Sequence, residues 1–217
     1  MFIISPTARV AKTSNSNNEL DLEIIGHTCY KSDKVVTPDS AKAFIRNIIS
    51  RGHESVLEHA SFTAKIVCDR GISHEIVRHR LASYTQESTR YANYSKDKFG
   101  SQITVIQPGE LSDEAFTVWH NACVNAEEAY LEMLRLGCTP QIARSVLPTC
   151  LKTELWMTAN LREWRTVFKL RCAPDAHPQI RELMLDLLQQ AHDIYPSVFE
   201  DIYNWYFEPT TNEEKVD

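Results

Sequence analysis

The sequence shows no long apolar run, no signal-peptide pattern in its first residues and no excess of positive charge. None of its hydrophobic stretches approaches the roughly 20 residues that a membrane-spanning helix needs. The N-terminus, MFIISPTARV, lacks the basic segment and long apolar segment of a signal peptide. These absences predict a cytoplasmic protein without membrane contact, in the host cytoplasm if its source is viral.

The cysteines and histidines form no recognisable metal or redox motif. Six cysteines are scattered without a C-x-x-C pair, which argues against a zinc knuckle and a dithiol redox motif. HESVLEH resembles a metalloprotease motif, but His53 and His59 are six residues apart rather than four, a rotation of about 240° on a helix. We expect no metal site, and a metal-dependent hydrolase built on the histidines between 53 and 79 is the weaker alternative.

Helix signals dominate the chain, and short strand-like segments separate them. Thr37-Pro38, Ser112 and Thr139-Pro140 are typical helix starts, and NLREWRTVFKLR and PQIRELMLDLLQQAHDIY show helical spacing. Strand patterns occupy residues 61–68, 102–106 and 153–159. The sequence therefore predicts a mixed α+β fold: one helix-rich domain over 1–209 with a small central sheet, and a disordered tail over 210–217.

RHRLASYTQESTRY, residues 78–91, concentrates cationic and hydroxyl groups in a chain of net charge −6. We predict a helix over ISHEIVRHRL, on which Arg78, His79 and Arg80 would point about 100° apart and serve different parts of a site. Basic residues at a helix C-terminus also complement the helix dipole, but this does not explain the polar residues that follow. The composition favours a site for an anionic ligand, such as a phosphate.

A second basic cluster lies in NLREWRTVFKLR, residues 160–171. Helical spacing gives a basic face with Arg162, Arg165 and Lys169, and an apolar face with Leu161, Trp164 and Phe168. Arg171 falls on the apolar side, where an unpaired charge is too costly to persist. Its partner is either a ligand or an internal carboxylate (Glu154, Asp175 or Glu182), and Arg144 in ARSVLP has the same two possibilities.

Four blocks of the sequence together resemble the flavin-dependent thymidylate synthases. RHR, seven further residues and Ser88 match the family signature. GHESVLEH, ISHEIVRHRLASYTQESTRY, ARSVLP and TANLREWRTVFKLR follow in the family's order. The resemblance implies a homotetramer with active sites shared between subunits. It implies an enzyme that converts dUMP to dTMP, with methylenetetrahydrofolate as carbon donor, bound FAD as hydride carrier and NADPH as reductant.

The resemblance also implies roles for individual residues. The dUMP contacts would be Glu75, Arg78, Gln86, Ser88, Arg90, Arg144 and Arg171, with Arg90 and Arg144 on the phosphate. The FAD contacts would be Ser55, Arg78, His79, Arg80, Asn160 and Arg162, the last two from another subunit. Thr166 stands where the family usually has His or Asn, so that flavin contact departs from the pattern. His53 would lie near the flavin and folate, and Arg171 would favour the N3-deprotonated uracil.

This chemistry requires no protein nucleophile. A fixed guanidinium stabilises negative charge in the uracil ring, and no cysteine stands in an activating sequence context. The alternative is a nucleic-acid binder that uses the same arginines on phosphates. Because the net charge is negative and the aromatic residues fall at core spacing, we expect no nucleic acid as a partner. The resemblance implies dUMP, folate and NADPH as partners.

Overall fold

A computed structural model describes residues 1–13, 18–96 and 100–208. The predicted tail over 210–217 lies outside the described residues. The chain forms two compact units. The first comprises Met1–Ala8 and Lys65–Met157, and the second comprises Arg9–Ala64 and the described residues from Thr158 onward. The single domain over 1–209 stays a prediction.

The described ranges contain both strands and helices. The strands are β1 (Phe2–Ile4), β2 (Thr7–Thr13), β3 (Ser61–Asp69), β4 (Ala82–Gln86), β5 (Thr104–Ile106) and β6 (Lys152–Asn160). The helices are α1 (Asn18–Tyr30), α2 (Pro38–Ser50), α3 (Arg70–Ile76), α4 (Asp113–Arg135), α5 (Pro140–Ala143), α6 (Leu161–Arg171), α7 (Pro178–Ile194) and α8 (Pro196–Phe207). Two 3₁₀ helices cover Glu54–His59 and Arg144–Val146. No helix within these ranges has the length and apolar character to cross a membrane.

The strands form two small sheets. One has four strands in the order β2-β3-β6-β4, so β4 is an edge strand. The other pairs β1 and β5 in parallel, with Phe2 opposite Thr104 and Ile4 opposite Ile106. The predicted α+β class is confirmed.

Capping groups define several of the predicted helices. Thr37 and Ser40 form a capping box at α2, in which the Ser40 N–H donates to Thr37 Oγ1 at 3.1 Å and the Thr37 N–H donates to Ser40 Oγ at 2.8 Å. The Ser112 hydroxyl accepts from the Ala115 N–H at 3.3 Å at the start of α4. These helix starts were predicted from sequence, and the structure confirms them.

Each unit has its own apolar core. In the first unit Ile103, Val105, Tyr130, Ala143 and Leu151 are buried together. In the second unit the rings of Phe62 and Trp164 stack at 4.4 Å, and the Trp164 indole N–H donates to the Phe62 carbonyl at 3.1 Å. The predicted apolar face of α6 is therefore confirmed.

The structure differs from the sequence prediction after α3. The helix predicted over 72–81 ends at Ile76, and residues 77–81 are not part of a helix. The Tyr84 hydroxyl lies 2.9 Å from the Ile76 carbonyl oxygen and 2.7 Å from that of His79. A longer helix would have used these two carbonyls as acceptors for its own backbone hydrogen bonds. In this fold the chain turns back to form β4, and the Tyr84 hydroxyl contacts them instead.

Candidate functional site

Strand β4 organises the signature segment in the first unit. Ala82, Tyr84 and Gln86 are half-buried, whereas Ser83 and Thr85 are exposed, which is the alternation of a strand with one covered face. The Tyr84 hydroxyl holds the preceding turn through the carbonyls of Ile76 and His79. The signature is therefore a turn and an edge strand rather than a helix end.

The three residues of the RHR motif alternate in exposure. Arg78 and Arg80 are exposed, and His79 between them is buried. The helical reason given for their separation was wrong, because α3 ends at Ile76. That the three residues serve different parts of a site stays a prediction. Glu75, on the last turn of α3, is half-buried.

Gln86 is fixed in place by a network of hydroxyl groups. Its Nε2 donates to Ser73 Oγ at 2.9 Å and to Thr153 Oγ1 at 3.2 Å. Ser73 Oγ in turn donates to the Arg70 carbonyl at 2.8 Å. Ser73 and Thr153 are both fully buried, so the orientation of the Gln86 amide is set within the protein.

Arg144 joins the signature from a distant part of the sequence. Its Nη1 donates to Thr89 Oγ1 at 3.0 Å. Thr89 is buried between Ser88 and Arg90, and the Arg90 backbone N–H donates to Ser88 Oγ at 3.3 Å. The fold thus brings the predicted dUMP residues Ser88, Arg90 and Arg144 to one turn at the end of β4.

Exposed cationic groups surround β4 and the turn that follows it. Arg78, Arg80, Arg90 and Arg144 are all exposed. Among the described residues, none of these four guanidinium groups has a carboxylate at ion-pair distance. A five-residue strand is about 17 Å long, so the RHR motif and the Ser88–Arg90 turn lie at opposite ends of β4.

In the second unit, the N-terminal half of α6 presents the predicted flavin residues. The Asn160 side-chain oxygen accepts from the Glu163 N–H at 2.8 Å and caps the helix. Arg162 forms an exposed ion pair with Glu58 at 2.6 Å, and Glu58 belongs to the 3₁₀ helix that also carries Ser55. This 3₁₀ helix packs against α6, so Ser55, Asn160 and Arg162 lie on neighbouring elements.

Thr166 lies one turn beyond Arg162. Its hydroxyl donates to the Arg162 carbonyl at 3.3 Å. Thr166, the residue at which this chain departs from the family pattern, therefore makes its hydrogen bond within the helix. His53 is exposed and begins the 3₁₀ helix without a side-chain cap. No group of three or more His, Cys, Asp and Glu side chains in the described part of the chain could hold a metal ion.

Arg165, which helical spacing places on the basic face of α6 with Arg162 and Lys169, is buried, unlike those two residues. Its side chain is 1% exposed and makes a two-pronged pair with Asp201 on α8, with both N–O distances 2.7 Å. It also donates to the Val198 carbonyl and lies 3.4 Å from Glu54. Burial disfavours the charged form of Asp201, but Arg165 outweighs this and lowers the Asp201 pKa.

Arg171, the last residue of α6, is half-buried. Of the internal carboxylates predicted for it, Glu154 lies 2.8 Å from Lys152 and 2.7 Å from Lys65. Hydrogen bonds from Lys152 and Lys65 hold the pKa of Glu154 below its usual value. Glu154 is therefore already engaged by two lysines on the sheet.

The buried thiols offer no activated nucleophile. Burial raises the pKa of Cys68 and of Cys172 to about 12. Thiols with such values carry almost no thiolate at neutral pH. Catalysis by either of these two cysteines is therefore disfavoured.

The fold and the site define a class of protein. An α+β chain that presents exposed arginines and hydroxyl groups around one edge strand and the turn that follows it is suited to bind a phosphate-bearing small molecule. The family model described as "Thymidylate synthase complementing protein" (Thy1) matches residues 10–197. The chain belongs to this family, which confirms the resemblance seen in the sequence.

Individual relatives support the assignment. A flavin-dependent thymidylate synthase from Geobacter sulfurreducens is 34% identical over 192 residues, which is 84% of this chain and 81% of the relative. Another from Mycolicibacterium vanbaalenii is 36% identical over 199 residues, covering 83% and 78% of the two chains. The crystal structure of the UMP/dUMP methylase PolB from Streptomyces cacaoi, bound with 5-Br dUMP, is similar with a TM-score of 0.78. It is 22% identical and covers 95% of this chain and 98% of that one, so it supports the fold.

Proposed function

We propose that this protein is an enzyme that methylates dUMP to dTMP with a bound flavin. The observation that carries the proposal is the group of four exposed arginines in the signature and its turn, which have no carboxylate partner among the described residues. In an acidic chain, such a group favours an anionic ligand. Curated relatives named flavin-dependent thymidylate synthase support the substrate and the cofactor class.

The nucleotide would bind at the turn that follows β4. Arg90 and Arg144 would contact its phosphate, since guanidinium groups form strong charge-assisted hydrogen bonds with phosphate oxygens. The contact with Thr89 holds Arg144 in place before the ligand arrives. Gln86 is held by Ser73 and Thr153, so it would present a fixed amide to the ligand. The remaining proposed dUMP contacts are Glu75, Arg78, Ser88 and Arg171.

The chemistry of the second set of residues fits FAD. Exposed guanidinium groups at Arg78 and Arg80 suit its pyrophosphate, and Ser55 and His79 would add contacts. The side-chain oxygen of Asn160 caps α6, so the side-chain NH₂ group of Asn160 is the one that would donate to the cofactor. The Arg162–Glu58 pair is exposed, so Arg162 could leave Glu58 and contact the cofactor at little cost in free energy. The Thr166 hydroxyl already donates to the Arg162 carbonyl within the helix.

When bound, the flavin would supply hydride transfer, with NADPH as reductant and methylenetetrahydrofolate as carbon donor. The protein would polarise the uracil. We propose that Arg171 stabilises negative charge in the N3-deprotonated ring, which makes C5 a better carbon nucleophile. His53 would lie near the flavin and folate. The raised pKa of the buried thiols supports a reaction without a cysteine nucleophile.

We further propose that the protein acts as a homotetramer whose active sites are shared between subunits. The flavin and nucleotide residues then need not all come from one chain. Analytical ultracentrifugation of the flavin-loaded protein should give a single species of four subunits, and a monomer at assay concentration would contradict this part of the proposal.

Formation of dTMP tests the proposed reaction. The purified protein should produce dTMP from dUMP only when FAD, NADPH and methylenetetrahydrofolate are all present. Arg144→Ala should lose most of this activity, whereas Arg135→Ala should keep it, because Arg135 is an exposed arginine paired with Glu132. No dTMP from the wild type under any combination of these components would overturn the proposal.

A conservative substitution tests the role of Arg171. Arg171→Lys keeps the charge but replaces the planar fork with a point charge, so turnover should fall at least about tenfold. The thermal unfolding midpoint of the variant serves as the control for folding. Near-normal turnover in a stable variant would show that Arg171 is structural.

A further inference from the structure

Two thiols of the first unit lie next to each other in the structure. The sulfur atoms of Cys123 on α4 and Cys150 just before β6 are 3.4 Å apart. Cys123 is 2% exposed, and Cys150 is half-buried. The two residues are 27 positions apart in sequence, so the fold and not the local chain places them in contact.

The pair lies in the same core as the segment that carries Arg144. Cys123, Ala143 and Leu151 belong to one buried cluster, and Cys150 packs against it. Ala143 immediately precedes Arg144, whose guanidinium donates to Thr89. A covalent bond between the two sulfurs would close the chain from 123 to 150 into a loop that contains Arg144.

We propose that Cys123 and Cys150 form a redox modification site, which hydrogen peroxide oxidises to an intramolecular disulfide. A disulfide requires an S–S distance of about 2.05 Å, so the sulfurs must approach by only about 1.4 Å. This proposal rests on the geometry of the two thiols and does not depend on the proposed enzymatic activity.

The exposure of the two sulfurs sets the order of the steps. Cys150 is the more accessible, so its thiolate attacks the peroxide: an S–O bond forms, the O–O bond breaks, and one water leaves after protonation. The Cys123 sulfur then loses its proton and attacks Cys150, forming the S–S bond and releasing the second water. The two cysteines lose two electrons together, and the peroxide is reduced to two waters.

The second step should be the slower one. Burial, together with the hydrogen bond to Cys150, raises the pKa of Cys123 to about 12, so little of it is thiolate at neutral pH. The S–S distance of 3.4 Å offsets the low thiolate fraction, because an intramolecular attack between groups already in contact has a high effective concentration. The rate of disulfide formation should therefore increase with pH.

The test uses the full chain in a Cys29→Ser/Cys138→Ser background, which removes the exposed thiol and one half-buried thiol. The protein is treated with hydrogen peroxide at the dose that oxidises Cys29 in the wild type, and free thiols are then counted after denaturation. Two of the four remaining thiols should disappear, the mass should fall by two hydrogen atoms, and peptide mapping should join Cys123 to Cys150. A thiol reductant should restore both.

Two controls make the result specific. With Cys123→Ser added to the same background, peroxide should leave a sulfenic acid on Cys150 that a nucleophilic trap labels, and no disulfide should form. The buried Cys68 and Cys172 should keep their thiols throughout. Retention of all four thiols at the dose that oxidises Cys29, or a disulfide that joins any other pair, would overturn the proposal.

Discussion

Three arginines of the second unit and Arg144 of the first unit have different partners. In the second unit, Arg165 is buried against Asp201, and Arg46 and Arg162 pair with Glu200 and Glu58. In the first unit, Arg144 is exposed and donates to a threonine hydroxyl, and no carboxylate in the described ranges lies at ion-pair distance from it. A paired arginine has its charge neutralised within the fold, whereas the charge of Arg144 stays available at the surface. The comparison separates structural arginines from candidate binding arginines.

The largest expected effect is the loss of stability when the buried Arg165 is replaced. Arg165→Met leaves the Asp201 carboxylate without its partner and should lower the free energy of unfolding by about 3 kcal/mol, near the low end for a buried pair because Asp201 is half-exposed. Urea denaturation measures it. Lys169→Met is the matched control, since Lys169 is exposed and 4.0 Å from Glu54. An Arg165→Met variant no less stable than the control would contradict the assignment of Arg165.

Arg144→Ala should show the opposite behaviour. It should weaken dUMP binding about tenfold to a hundredfold, because a charge-assisted hydrogen bond contributes about 1.5–3 kcal/mol. The free energy of unfolding should change by less than about 0.5 kcal/mol, since the side chain is exposed. Calorimetric titration of the flavin-loaded protein with dUMP checks this, with Arg135→Ala as control. Unchanged dUMP affinity would remove Arg144 from the site.

The Arg165–Asp201 pair also predicts a dependence of stability on pH. Because Arg165 lowers the Asp201 pKa in the folded state, the stabilisation is fully present above the unfolded pKa of Asp201. It is lost as the pH falls below that value towards the folded pKa. Urea denaturation at a series of acidic pH values should show the loss in the wild type and a flatter curve in Asp201→Asn. Parallel curves for the two proteins would contradict the pairing.

The smallest effect on stability is expected for Arg162→Ala. Its pair with Glu58 is exposed on both sides, so its loss should cost less than about 0.5 kcal/mol. FAD affinity, measured by flavin fluorescence, should nevertheless fall. Arg46→Ala also removes an exposed pair, with Glu200, and should leave FAD affinity unchanged. Equal FAD affinity in both variants would exclude a flavin contact at Arg162.

Local sequence signals predicted much of the fold. The capping residues Thr37 and Ser112 and the apolar spacing in α6 located three helices, because these signals act over a few residues. Helix α1 was missed, in part because Gly26 interrupts its pattern. A Cβ at Gly26 would clash with the Phe44 ring, so close packing of α1 on α2 requires this glycine despite its low helix propensity.

The missed features of the site depend on contacts between distant residues. Strand β4 has few apolar residues, and its pairing with β6 decides its structure. The burial of Arg165 depends on Asp201, which lies on the unpredicted helix α8, 36 positions later. Helical spacing alone grouped Arg165 with Arg162 and Lys169, because spacing carries no information about the neighbouring helix. The charged residues of the signature, in contrast, were visible in the sequence.

The visible absorbance spectrum of the purified protein tests the central proposal most directly. The protein reconstituted with FAD should show a flavin band that bleaches on addition of NADPH with dUMP. Arg144→Ala should keep the flavin band but require more dUMP for the same bleaching rate. A wild-type protein that shows no flavin band after incubation with FAD, or a band that NADPH and dUMP leave unchanged, would contradict the proposed function.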